Sequence, residues 1–168
     1  MSQLSLSLDS SLLVRDVTGD YRPANADEVL QAAQQVLAGQ MRGCEALTSP
    51  QVVRDFLRVK LGTLEHEVFS VIHLDAQNRV IDYVEMFRGT VSQTSVYPRE
   101  VVKEALARNS AALLLVHNHP SGMAEASRAD ELLTQTLKSA LALVDMRVLD
   151  HLIVAGNAIL SFAERGLL

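Results

Sequence analysis

The chain has 168 residues, a length that suits one folded core, and its formal net charge of −5 argues against non-specific duplex binding, which needs a surface rich in Lys and Arg. The single Cys44 excludes an internal disulfide or a cysteine-based metal knuckle and fits a reducing compartment. With 48% apolar but only 4% aromatic residues, the expected core is built from Leu, Val and Ala rather than stacked rings.

Residues 1–24 carry Ser, Asp, Gly and Pro without a sustained period and are expected to form a loose arm. They lack the basic and apolar stretches of a secretory signal. Nowhere does the chain run to the roughly 18 consecutive apolar residues of a membrane span, so a cytoplasmic protein with no membrane partner is expected. From Asn25, the spacing of Val29, Leu30, Ala33, Val36 and Leu37 predicts an amphipathic helix, with Asn25 as cap, Glu28 at the capping-box position and Gly39 as stop. Ser49-Pro50 opens a second helix, which presents Val53, Phe56 and Leu57 on one face and ends at Gly62.

Glu67 to Leu74 and Arg79 to Phe87 are rich in Val, Ile, Phe and Tyr and flank Asp75-Ala76-Gln77-Asn78, which predicts an antiparallel hairpin. Pro98 starts a helix that should stop near Asn109, and Arg99 and Glu100 serve its first turn. Ala111 to Val116 shows no polar alternation and reads as a strand covered on both faces. Ser127 to Val144 has helical spacing, Met146 to Val154 reads as a strand, and Ile159 to Phe162 as a short last one. The order ααββαβαββ predicts an α/β fold, a mixed β-sheet with helices packed on it.

The chemistry is concentrated where the apolar strand ends, in His117-Asn118-His119-Pro120 followed by Ser127 and Asp130. Residues i and i+2 of a strand point to one side, so His117 and His119 can aim both rings at one point while Asn118 points away. Pro120 then breaks the ladder and lets the chain open into a pocket loop. Asp130, in the first turn of the next helix, is near enough in sequence to return its carboxylate to the imidazoles. Two histidines and a carboxylate leave a fourth tetrahedral position for water, as in catalytic Zn2+ sites, and hydrolysis is the natural reaction class.

This array resembles the JAMM motif of the JAB/MPN metalloenzymes, and the stretch from Ser49 to Leu168 resembles their RadC-like branch. The words that carry the resemblance are Glu67-Val68-Phe69, Leu74-Asp75, Phe87-Arg88-Gly89-Thr90, Tyr97-Pro98-Arg99-Glu100, His117-Asn118-His119-Pro120-Ser121-Gly122, Leu149-Asp150-His151 and Ser161-Phe162-Ala163-Glu164-Arg165-Gly166. The resemblance implies a JAB/MPN, cytidine-deaminase-like architecture over residues 49–168, preceded by an arm and helix at 1–48. It implies that His117, His119 and Asp130 bind zinc, that Glu67 is the general acid/base for a metal-activated water, and that Ser127 helps hold the oxyanion. The implied function is a zinc metallopeptidase or isopeptidase acting on an amide of a peptide or isopeptide substrate.

Two departures from the family pattern stand out. The residues ahead of Glu67 lack the glycine-rich hairpins of a helix-hairpin-helix segment, and Ala126 stands where the family often has proline before its serine. A second reading is a DNA-repair-associated accessory module with a structural or vestigial metal. A zinc deaminase is excluded, because its P-C-x-x-C set needs two cysteines.

Several alternatives stay open at this stage. Ser127-x-x-Asp130 before an apolar helix also matches a capping box. Glu65, Glu85 and Glu125 compete with Glu67 as far as spacing goes. Asp150-His151 is either a pair behind the ligands or a strand-end hydrogen bond. His66 and His73 read as ordinary strand or surface residues, and Cys44 has no acid or base pattern near it.

Overall fold

A computed structural model describes residues 12–89 and 95–168. Two short antiparallel strands, β1 (Leu13–Arg15) and β2 (Tyr21–Pro23), precede helices α1 (Ala26–Met41) and α2 (Pro50–Leu61). Strands β3 (Val68–Leu74) and β4 (Val80–Arg88) form a hairpin, followed by α3 (Pro98–Ala107), β5 (Ala112–Asn118), α4 (Arg128–Ala142), β6 (Arg147–Ala155), β7 (Ala158–Ser161) and the short α5 (Phe162–Arg165). The main sheet has the order β4-β3-β5-β6-β7, with β5 and β6 parallel and every other pair antiparallel. A parallel pair cannot be joined by a tight turn, and α4 provides the crossover.

All seven residues of β5 are buried, as its unbroken apolar run predicts. Alternation sends Ala112, Leu114 and Val116 to a layer built from α2 and the end of α1, with Met41, Val53, Phe56, Leu57 and Leu61. Leu113 and Leu115 go to the opposite layer, against Val101 and Ala105 of α3 and Leu137 and Leu141 of α4. The result is a mixed sheet between helices. Gly62, at the end of α2, lies so close to the β6–β7 turn that an added Cβ would sit 2.7 Å from the Gly156 carbonyl oxygen, so only glycine permits this approach.

The structure departs from the sequence reading at four places. The expected arm at 1–24 lies outside the described residues up to 11, but 12–24 form the β1–β2 hairpin. There Asp16 Oδ1 accepts from the backbone N–H groups of Thr18 (2.9 Å) and Asp20 (3.0 Å), and Arg22 pairs with Glu28 of α1 at 2.6 Å. Gly39 does not stop α1. The Asn25/Glu28 capping box starts that helix, which runs to Met41 and turns away at Gly43, whose φ is +76°. Ser49 makes no side-chain cap, so Pro50 alone marks the start of α2. The last strand ends at Ser161, which caps α5, an element the sequence reading did not anticipate. Thr90 of the Phe87-Arg88-Gly89-Thr90 word lies outside the described residues.

His73 is fully buried on the α3 side of β3, with Nδ1 2.9 Å from Ser110 Oγ and no hydrogen-bond partner for Nε2 among the described residues. Burial, and then the Arg108 charge, push its pKa down to about 4. An unfolded chain holds this group near about 6.5, so unfolding takes up a proton between those values and stability falls as pH drops through that window. We expect wild-type protein to lose up to about 3 kcal/mol more than His73→Gln between pH 7 and pH 4, read from urea midpoints. Parallel pH profiles for the two proteins would remove His73 as the source.

Candidate metal centre

The antiparallel register of β3 and β5 sets the site. Phe69 pairs with His117 at the end of the shared ladder, and Glu67, just before β3, and His119, just after β5, each follow one pleat beyond it. Glu67, Phe69, His117 and His119 all line one cleft of about 550 Å³. The backbone continues its ladders at both points, with Gly89 N–H donating to the Glu67 carbonyl at 2.8 Å and His119 N–H to the Val154 carbonyl at 2.8 Å. Asn118 points away from the histidines, as expected. Its buried amide reaches β3 instead, where Oδ1 accepts from Val68 N–H at 2.7 Å and Nδ2 donates to the His66 carbonyl at 2.9 Å. One side chain therefore clamps the residues on either side of Glu67.

After His119 the chain makes a turn closed by Gly122 N–H to the His119 carbonyl at 3.0 Å. Gly122 has φ +77°, a conformation that favours glycine, and it brings the Met123 carbonyl to 3.0 Å from His119 Nδ1. A carbonyl only accepts, so His119 carries its proton on Nδ1 and turns a bare Nε2 to the cleft when neutral. His117 Nδ1 is likewise engaged, by His151 at 2.8 Å.

The two Nε2 atoms lie 2.9 Å apart, and Asp130 presents Oδ1 at 3.3 Å from His117 Nε2 and Oδ2 at 3.7 Å from His119 Nε2. His117, His119 and Asp130 form the one His/Cys/Asp/Glu grouping with ligand geometry among the described residues. Lone pairs this close repel one another unless a cation lies among them. Borderline-soft nitrogen with a carboxylate oxygen is a donor set suited to a divalent transition ion such as zinc.

The capping-box reading of Ser127 and Asp130 is realised, and the same carboxylate lies beside the two histidines. Ser127 caps α4, with Asp130 N–H donating to its Oγ at 3.1 Å, while Asp130 Oδ2 accepts from Ser127 N–H at 2.8 Å and from Ser127 Oγ at 2.6 Å. The Ser127 hydroxyl proton is thus directed at Asp130 rather than into the cleft. Burial raises the Asp130 pKa, but the hydrogen bond and charge of His117, together with the two Ser127 bonds, outweigh it and hold the carboxyl well below the usual range.

Among the competing glutamates, Glu125 also lines the cleft but on an exposed loop, and Glu85 pairs with Lys60 at 3.0 Å. Neither His66 nor His73 joins the ligand cluster. Asp150 and His151 part company, because neighbours on a strand face opposite ways. Asp150 makes the strand-end bonds, to Ser161 Oγ at 2.5 Å and Ala163 N–H at 2.9 Å, and burial raises its pKa. His151 instead stands fully buried behind His117, with Nδ1 2.7 Å from Thr134 Oγ1. Thr134 was missed in the sequence. The available signal was its place one helical turn after Asp130, as a polar residue on the stripe of Leu133, Leu137 and Leu141.

A sequence profile for the RadC-like JAB domain matches residues 47–167. A UPF0758 protein of Leptothrix cholodnii is 58% identical over 150 residues, covering 89% of this chain and 68% of that protein. One from Aromatoleum aromaticum is 62% identical over 146 residues, covering 86% and 65%, and one from Methylibium petroleiphilum 56% over 150, covering 89% and 68%. The chain therefore spans about two thirds of the length of these curated relatives.

The shared carboxylate separates two variants. Ser127→Ala should cost about 1 kcal/mol of unfolding free energy through the lost cap and leave zinc bound. Asp130→Asn keeps an oxygen for the cap but loses the charge, and should lose most of its zinc on dialysis. Metal analysis and denaturant unfolding together check this, and full zinc retention by Asp130→Asn would remove that residue from the ligand set.

Proposed function

Because this chain belongs to the RadC-like JAB domain family, a JAMM-type metal-dependent hydrolase fold, we propose that it is a zinc-dependent peptidase or isopeptidase. The observation that carries this reading is the convergence of His117 Nε2, His119 Nε2 and the Asp130 carboxylate at the wall of a cleft that Glu67 also lines. His117, His119 and Asp130 would hold the ion. When bound, zinc supplies Lewis-acid polarisation of a carbonyl and acidifies a water. The unit assigned this chemistry is 49–168, with 1–48 ahead of it.

In this reading Glu67 takes a proton from the water whose oxygen attacks the amide carbon, and gives it to the nitrogen as the C–N bond breaks. Its candidacy over Glu125 rests on support. The Glu67 backbone is held by the Gly89 bond and by the Asn118 clamp on both neighbours, whereas Glu125 sits on an exposed loop. General acid/base work needs a carboxylate placed within a fraction of an ångström, which backbone pinned to the end of a sheet provides better than an exposed loop. Ser127 can give a hydrogen bond to an oxyanion if its hydroxyl turns from Asp130 towards the cleft, a rotation about one bond. Phe69, Val96 and Leu133 give the cleft an apolar wall beside these polar groups.

No helix among the described residues is long and apolar enough to cross a membrane. We assign the protein to the cytoplasm on its composition, with a peptide or isopeptide as partner.

The test uses purified protein and a library of peptide and isopeptide substrates read by mass spectrometry. Wild-type protein should retain zinc, cleave, lose activity to a chelator and regain it with zinc. Glu67→Gln should retain zinc and lose about 10²- to 10⁴-fold in turnover. Unchanged turnover in that variant excludes Glu67 as the base, and wild-type protein without zinc excludes the metallohydrolase reading.

A further inference from the structure

We propose that Thr134 and His151 form a hydrogen-bonded relay that fixes the ring tautomer of His117, so that its Nε2 faces the cleft without a proton. The direction of the relay follows from one acceptor. Thr134 Oγ1 lies 2.6 Å from the Asp130 backbone oxygen, one helical turn earlier, and a carbonyl oxygen can only accept. The Thr134 hydroxyl proton is therefore used there. The same Oγ1 lies 2.7 Å from His151 Nδ1, so it accepts, and the proton between them belongs to His151 Nδ1.

His151 is fully buried, its ring against Phe162 and Phe69 at centroid distances of 4.8 and 6.1 Å. Those neighbours favour the neutral ring. With Nδ1 protonated, neutral His151 has a bare Nε2, which accepts from His117 Nδ1 at 2.8 Å. A neutral His117 then has its proton on Nδ1 and its lone pair on Nε2, the nitrogen that faces His119 Nε2 and the Asp130 carboxylate.

The opposite direction fails at its start and changes what His117 offers at its end. It would leave the Thr134 and Asp130 oxygens 2.6 Å apart without a proton between them, and it would put a proton on the His117 nitrogen that faces the cluster. Asp130 thus closes a loop, with its backbone carbonyl at the start of the relay and its carboxylate beside the nitrogen at the end. Thr134 and His151 are positioning residues that act on ligation through His117. Both are fully buried and neither lines the cleft.

The relay rests on the reading of His117 as a ligand, and it can be tested separately from that reading. In metal-free protein labelled with 15N-histidine, long-range 1H–15N spectra should show a proton on Nδ1 and none on Nε2 of His151, and a proton on Nδ1 of His117. An Nε2–H tautomer for His151 in the wild type would overturn the relay, whatever the variants do. Thr134→Val, nearly the same shape but without the hydroxyl, should lose the His151 Nδ1–H form and weaken zinc affinity by about 10- to 100-fold in chelator competition. Thr134→Ser should restore both. Wild-type tautomer and affinity in Thr134→Val would also overturn the proposal. Wild-type protein with the expected tautomers but no zinc binding would sink the metal reading and leave the relay standing.

Discussion

The carboxylate of Asp130 joins the start of α4 to the end of β5, and the geometry of the centre depends on it. One oxygen closes the helix cap with Ser127, and the other lies against His117. A partly buried carboxylate is costly to hold without compensation. Here the cost is met by cap donors, by the positive end of the helix and by imidazole, so the acid stays ionised where a cation would need it. The cap that orders the helix is therefore also the device that orders the carboxylate beside the two histidines.

The sheet determines what can reach that carboxylate. Strand β5 is packed on both faces, which leaves its exit towards the loop as the place where polar side chains can emerge. His117 takes the last station on the α3/α4 face, and Asn118 takes the other, where its amide continues the ladder to β3 after the backbone has turned away. Strand β6 then supplies His151 from behind. His117 from the end of β5, His119 from the loop, Asp130 from α4, the Glu67 carboxylate at the foot of β3 and the His151 ring from β6 lie together because β5 sits between β3 and β6, with α4 making the crossover from β5 to β6.

Much of this was legible in the sequence where a local rule decides the outcome. The Asn25/Glu28 box, the Pro50 and Pro98 starts, the unbroken run into β5 and the i, i+2 histidines depend on nearest neighbours, and they appear as read. Gly39 was misleading because a glycine within a helix costs only about 1 kcal/mol and can be carried, whereas Gly43 has the left-handed backbone that ends α1. The β1–β2 hairpin was hidden because its order comes from Asp16 bonding its own turn, with strands too short to show a period. The contacts that Thr134, Asn118, Asp150 and His151 make were out of reach for another reason. Their partners lie on other elements, and only the sheet register brings them together.

The parts of the constellation also differ in how much chain must be ordered to form them. His117, His119 and Asp130 belong to one strand–loop–helix segment, so bringing them together closes a short loop at small entropic cost. Glu67 and His151 come from strands far apart in sequence and join only when the sheet is assembled. During folding, these three side chains can therefore come together before Glu67 and the His151 ring are in place, and a cation bound among them at that point would pin β5 to α4 while the rest of the sheet forms around it.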